Sequence, residues 1–227
     1  MGPHVIVLPG GSYRRHAPHE AEPVVAWLRG LGLPASVLRY PVDAVHPAQL
    51  DAIRAEVRRL RAEGATRVAL LGFSAGGHAA GLAALAPGAD ETTRVDAAIL
   101  GYPVVSMSDP IAHELSTENL LGPGASDELK RAVSLELLVT PEARPFFVWH
   151  TADDRVVPVQ HSLLLARALA DAGVRHELHV FPNGRHGLGL AEGSGLPEQW
   201  TRLAAAWLRS EGWLPRRGRW RRTTGRP

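Results

Sequence analysis

Residues 67–80 read RVALLGFSAGGHAA: an apolar run, then Gly72-Phe73-Ser74-Ala75-Gly76, then a string of small residues. The run Arg67–Leu71 predicts a strand, and its near-continuous apolar character suits a strand covered on both faces, as in a parallel sheet. The small residues that follow predict a helix over 75–86. Glycines two before and two after a serine leave room for a sharp strand-to-helix turn that lifts the hydroxyl above the sheet. In a chain with 23 glycines the pentapeptide alone carries little weight. Its meaning comes from the strand before it and the helix after it.

Outward from this point, short apolar or β-branched runs alternate with longer helical patterns. Strands are expected at His4–Leu8, Pro34–Arg39, Val95–Leu100, Phe146–His150 and Glu177–Phe181, and helices at about 19–31, 47–63, 158–172 and 197–210. The 47–63 segment places Leu50, Ile53, Val57 and Leu60 on one face, with arginines and glutamates opposite, and stops at Gly64. This alternation marks βαβ units, hence an α/β fold with a mostly parallel sheet and helices on both faces. Residues 106–143 break the rhythm with mixed composition and short helical pieces, and are expected to form a cap or insertion. A length of 227 residues and 45% hydrophobic content fit a single domain, expected over 1–214.

A serine hydroxyl is a poor nucleophile until a base takes its proton, so Ser74 calls for a histidine and an orienting acid downstream. Both follow predicted strands. FFVWHTADDRVVP (146–158) carries two acids, and FPNGRHGLGL (181–190) carries a glycine-flanked histidine. The expected catalytic set is Ser74, Asp154 and His186. Read as D-x-x-V-P, the first loop selects Asp154, which also stands four residues after His150; Asp153 would then hold the turn. An oxyanion hole would use the Ala75 N–H and a donor from Gly11 or Ser12 in LPGGSY (8–13), the loop after the first strand. Gly10 and Tyr13 of that loop are the expected substrate contacts. His78, one turn beyond Ser74, reads as a packed or supporting histidine rather than the base. Trp27, Trp149, Trp200 and Trp207 read as core.

No cysteine is present, which excludes a thiolate nucleophile and a disulfide framework. His16 and His19, or His176 and His179, lack the carboxylate or cysteine partners of a zinc site, so no metal and no cofactor are expected. No stretch reaches the roughly 18–20 apolar residues of a membrane span, and the N-terminus reads as a strand rather than a leader, which makes the cytoplasm the default location. The formal charge of +2 conceals a basic tail, PRRGRWRRTTGRP (215–227), that holds Arg216, Arg217, Arg219, Arg221, Arg222 and Arg226 and is expected to be disordered. No nucleic-acid partner is expected.

Taken together, LPGGSY, GFSAGGHAA, GYPVVS, the segment from ENLLGPG to HSLLLARAL, and HVFPNGRHGLGLA resemble the acetylxylan and feruloyl esterase-like branch of the α/β hydrolases over most of residues 4–210. The resemblance implies an α/β-hydrolase fold and a serine esterase that cleaves small acyl esters, among them sugar esters, through an acyl-serine intermediate. It places the nucleophile, acid and base on Ser74, Asp154 and His186. Relatives carry further strands before the glycine loop, so the N-terminal antiparallel strands are expected to be missing. The open edge would then be covered by the tail or by a second copy in a homo-oligomer. Two other readings remain open: a prolyl-oligopeptidase-like serine peptidase, which shares G-x-S-x-G-G and D-x-x-V-P, and a non-catalytic binding protein on the same scaffold.

Overall fold

The structure is a computed structural model and describes residues 2–108 and 110–214. Six strands form one parallel sheet: β1 His4–Leu8, β2 Ala35–Val37, β3 Val68–Phe73, β4 Ala97–Gly101, β5 Phe146–Thr151 and β6 His176–Phe181. Their order is β2-β1-β3-β4-β5-β6, and every neighbouring pair is parallel. The basic tail lies outside the described residues. Among the described residues, no helix is long and apolar enough to cross a membrane.

Strand alternation divides the core into two layers. Val5 and Val7 of β1, with Ala69 and Leu71 of β3, face one layer; Ile6, Leu8 and Leu70 face the other. All of these are buried, because both faces are covered and no polar alternation is needed. The first layer is closed by α1 (Glu22–Gly30) and α8 (Trp200–Ser210), the second by α2 (Ala48–Ala62), α3 (Ser74–Leu85) and α7 (Gln160–Asp171). Chain direction explains this split. Right-handed crossovers that step one way across a sheet put their helices on one face, and a reversal of step puts them on the other. The chain steps outward from β1 to β2 and then back past β1 to β3, so α1 and α2 fall on opposite faces. That reversal leaves a crevice between the carboxyl ends of β1 and β3, the place where open α/β sheets bind ligands.

Element ends differ from the expectations by a few residues. The consequential difference is at β3, which runs on to Phe73, so that Ser74 is the first residue of α3 with no intervening loop. β2 spans three residues rather than six, a short edge strand. The apolar stripe Leu50, Ile53, Val57 and Leu60 is buried on α2. Residues 106–143 contain α4 (Glu114–Leu121), α5 (Asp127–Ala132) and α6 (Leu135–Leu138). This segment is pinned at its start: the His161 ring of α7 accepts the Val105 N–H at 3.0 Å and donates to the Ile111 carbonyl at 2.9 Å. Met107 N–H donates to Ser134 Oγ at 2.9 Å, which ties the two ends together.

Candidate active site

Ser74 sits at φ 52°, a left-handed conformation that a serine adopts only under strain, at the junction of β3 and α3. The flanking glycines permit it by close approach. A Cβ on Gly72 would overlap the Gly76 carbonyl, and one on Gly76 would overlap the carbonyls of Leu8 and Pro9. Ser12, Tyr13 and Tyr102 also have positive φ, at 54°, 63° and 36°. Positive-φ residues therefore gather beyond the carboxyl ends of β1, β3 and β4.

Three residues from beyond the carboxyl ends of three strands, β3, β5 and β6, meet in one chain of hydrogen bonds. Ser74 Oγ lies 2.9 Å from His186 Nε2, and His186 Nδ1 lies 2.6 Å from Asp154 Oδ2. An ionised carboxylate only accepts, so the ring carries its proton on Nδ1 and leaves Nε2 to accept from the serine. Asp154 Oδ1 accepts the N–H groups of Val156 and Val157 at 2.9 and 3.0 Å. Burial would raise the Asp154 pKa, but hydrogen bonds from His150 and His186 outweigh it and hold the carboxyl well below the usual carboxylate range. His150 is fully buried, with its Nε2 3.4 Å from Asp154 Oδ2, and it donates to the Val157 carbonyl at 2.9 Å. The neighbouring Asp153 points elsewhere: its Oδ1 accepts the Gly184 N–H at 2.7 Å and fastens the acid loop to the histidine loop. Thr151 Oγ1 makes a second tie, donating to the Gly184 carbonyl at 2.7 Å.

The glycine loop lies against the strand-to-helix turn at Ser74. Gly11 carbonyl accepts the N–H groups of Arg14 and Arg15, and Gly10 carbonyl accepts that of Ala17. Because N–H and C=O point oppositely across a trans peptide, these bonds turn the N–H groups of Ser12 and Gly11 away from their own turn. Among the described residues, nothing accepts from the N–H of Gly11, Ser12 or Ala75. For Ala75 that follows from its place in the first turn of α3. Asn119 of α4 donates to the Ser12 carbonyl at 2.7 Å, so the 106–143 segment touches the glycine loop directly.

Two expected substrate contacts need correction. Tyr13 is fully buried, packed on Tyr40 at 5.9 Å between ring centroids, and its hydroxyl meets His78 Nδ1 at 2.6 Å. Its side chain therefore offers no surface to a ligand; it anchors the glycine loop. Gly10 is buried as well, and its N–H is spent on Glu20 Oε2 at 2.7 Å. A Cβ there would come within 2.8 Å of that carboxylate and of the Phe73 carbonyl.

Further side chains surround this hydrogen-bonded series, and the sequence pattern did not show their partners. His78 is fully buried and bonds to Tyr13 on one side and to the Val133 carbonyl at 2.8 Å on the other; burial lowers its pKa to about 4. It thus joins α3, the glycine loop and the 106–143 segment. Tyr102 is buried with its ring 5.0 Å from that of His186, edge to face. Trp149 stacks on Trp200 beneath them, with centroids 5.1 Å apart. Beside His186, Asp153, Arg155, Val156, Gly184 and Arg185 line a cavity of about 360 Å³.

Residues 48–211 match the prolyl oligopeptidase family. A solved structure of an acetyl ester-xyloside bifunctional hydrolase from Caldicellulosiruptor lactoaceticus superposes with a TM-score of 0.89 at 40% identity, covering 94% of this chain and 84% of that one. Endo-1,4-beta-xylanase B of Butyrivibrio fibrisolvens is 34% identical over 207 residues, 82% of this chain and 32% of the relative. An acetylxylan esterase of Xylanibacter ruminicola is 27% identical over 228 residues, 92% of this chain and 46% of the relative. The chain thus spans 32% and 46% of the length of these two curated relatives.

Proposed function

The chain belongs to the prolyl oligopeptidase family of α/β hydrolases, and from that premise we propose that it is a carboxylic ester hydrolase acting through an acyl-serine intermediate on small, acetyl-type esters, sugar esters among them. The observation that carries this reading is the unbroken bond series Ser74–His186–Asp154 at a strained strand-to-helix turn. The ester assignment, rather than the peptidase the family name suggests, is supported by relatives named as an acetylxylan esterase and an acetyl ester-xyloside bifunctional hydrolase.

In this mechanism Ser74 Oγ attacks the ester carbonyl while His186 Nε2 takes its proton. Asp154 stabilises the imidazolium that forms, and its depressed pKa keeps it ionised for that task. The Ala75 N–H, with that of Gly11 or Ser12, hydrogen-bonds the oxyanion. His186 then protonates the leaving alcohol. Water, deprotonated by His186, attacks the acyl-serine, and collapse releases the acid and restores Ser74. The 106–143 segment caps the crevice and shapes the acyl pocket.

The test is hydrolysis of p-nitrophenyl esters from acetate to octanoate by wild type and Ser74→Ala. The expected result is turnover favouring the shortest acyl groups and a loss of about 10⁴-fold or more in kcat in the variant. Aminoacyl anilides run alongside test the peptidase reading. Turnover of anilides without turnover of esters would replace the present assignment, and a folded wild type inert to both and to a fluorophosphonate would favour a binding protein.

A further inference from the structure

Among the described residues the buried carboxylates are Asp154 and Glu20, and only the first has a part in the chemistry above. Glu20 is 2% exposed, at the end of the 3₁₀ turn Pro18–Glu20. Its Oε2 accepts the Gly10 N–H at 2.7 Å, and its Oε1 accepts the Tyr102 hydroxyl at 2.6 Å. The Tyr102 oxygen in turn accepts the Gly189 N–H at 2.7 Å. Burial, followed by the charge of Glu20, pushes the Tyr102 phenol far above its ordinary range, so it keeps its proton and donates. Next to Glu20, His19 Nε2 donates to the Gly187 carbonyl at 3.0 Å and lies 3.7 Å from Glu20 Oε1.

One carboxylate therefore joins the loop after β1, the residue that follows β4 and the loop that carries His186. Burying a charge is costly, and an apolar side chain would fill the same volume without that cost. What an apolar side chain cannot do is accept two hydrogen bonds at once. Both partners of Glu20 are donors, and an ionised carboxylate is acceptor-only. The two loops it joins are the ones that have to be in register for the reaction: one bears the oxyanion donors, the other the base.

We infer that Glu20, acting through Tyr102, is a positioning residue for the ester hydrolysis proposed above, on which this inference rests. It sets the glycine loop and the His186 loop relative to each other without touching the substrate. Glutamine in its place would set its NH₂ against one of the two donors, and one link would be lost or reversed. Tyr102→Phe removes a single oxygen and cuts the same chain at its other end.

The experiment uses the full chain with p-nitrophenyl acetate, reporting kcat per fluorophosphonate-titrated site, KM and the melting temperature for wild type, E20Q, Y102F and the double variant. Misplacement of reacting groups by a fraction of an ångström to 1 Å predicts a fall of about 10- to 100-fold in kcat per titrated site, with KM little changed. The double variant should be no slower than the slower single one, since both cut one network. If kcat per titrated site stays at the wild-type value while only the melting temperature drops, Glu20 is structural and the inference fails. Should E20Q not fold, Y102F decides by the same criterion. An inert wild type would instead sink the esterase reading, and this inference with it.

Discussion

Asp153 and Asp154 are adjacent, chemically identical and both on the loop after β5, yet the structure gives them unlike surroundings. Asp154 is 6% exposed and accepts from two backbone amides and from His186, while Asp153 accepts one N–H from Gly184 at the surface. Asp154→Asn would place an amide against His186 Nδ1 and favour the tautomer in which Nε2 carries the proton and cannot accept from Ser74. The expected result is a drop in kcat of about 10³- to 10⁴-fold. Asp153→Asn retains an oxygen that can accept from Gly184, so its effect should stay within about threefold, as for surface changes generally. Steady-state kinetics on the two variants decides the assignment, and the reverse order of effects would transfer the role to Asp153. The D-x-x-V-P pattern pointed to Asp154, the acid whose carboxylate lies 2.6 Å from His186 Nδ1. It did not carry the part of His150, which was visible only as a residue four positions upstream and becomes a neighbour of the carboxylate through burial.

At the scale of elements, the strand-to-helix turn works because two glycines let three backbones come together. The chain passes from β3 into α3 at Ser74, and Gly76 lies directly against the carbonyls of Leu8 and Pro9 at the end of β1. Gly76→Ala would drive a methyl into backbone oxygens that have nowhere to move. Overpacking of this kind costs about 1–3 kcal/mol, which for a chain of this length lowers the melting temperature by roughly 2–12 °C. Calorimetry should show that drop, and fluorophosphonate labelling should slow because the displaced Pro9 carbonyl belongs to the glycine loop. An unchanged melting temperature would mean that the turn is looser than its geometry implies. The same paired strands and helices were legible in the sequence because apolar runs and 3.6-residue stripes are local signals. Their ends were less so: β3 extends to Phe73 because its pairing with β4 continues through Phe73 and Gly101, a contact between residues far apart in the chain.

Across the whole molecule, α3, the glycine loop and the 106–143 segment are joined at His78, and this makes the assembly sensitive to acid. Burial lowers the His78 pKa from 6.5 to about 4 in the folded chain, whereas the unfolded chain takes up its proton near the ordinary value. The stability this neutral ring provides is therefore fully present above about pH 6.5, erodes as pH falls toward 4, and changes no further below that; the loss is on the order of 3 kcal/mol. Melting temperatures measured from pH 7.5 to 4 should fall in wild type and fall less steeply in His78→Gln. Equal slopes would show that the ring is not buried in neutral form. His4, His16, His46 and His113, whose pKa values burial also lowers, add to the slope in both proteins and leave the difference to His78. By itself the sequence determined the α/β alternation, the parallel sheet with helices on both faces, and the three residues that meet at its carboxyl edge, because periodicity and motif spacing are written in neighbouring positions. The tertiary structure alone decided what surrounds them. Tyr13 was expected at the substrate and is instead enclosed by Tyr40 and His78; Gly10 spends its N–H on Glu20; and Glu20, an ordinary charged position at the start of a helical pattern, becomes a buried link between two loops. Burial and hydrogen-bond partners arise from the crossing of segments far apart in the chain, and no local pattern encodes them.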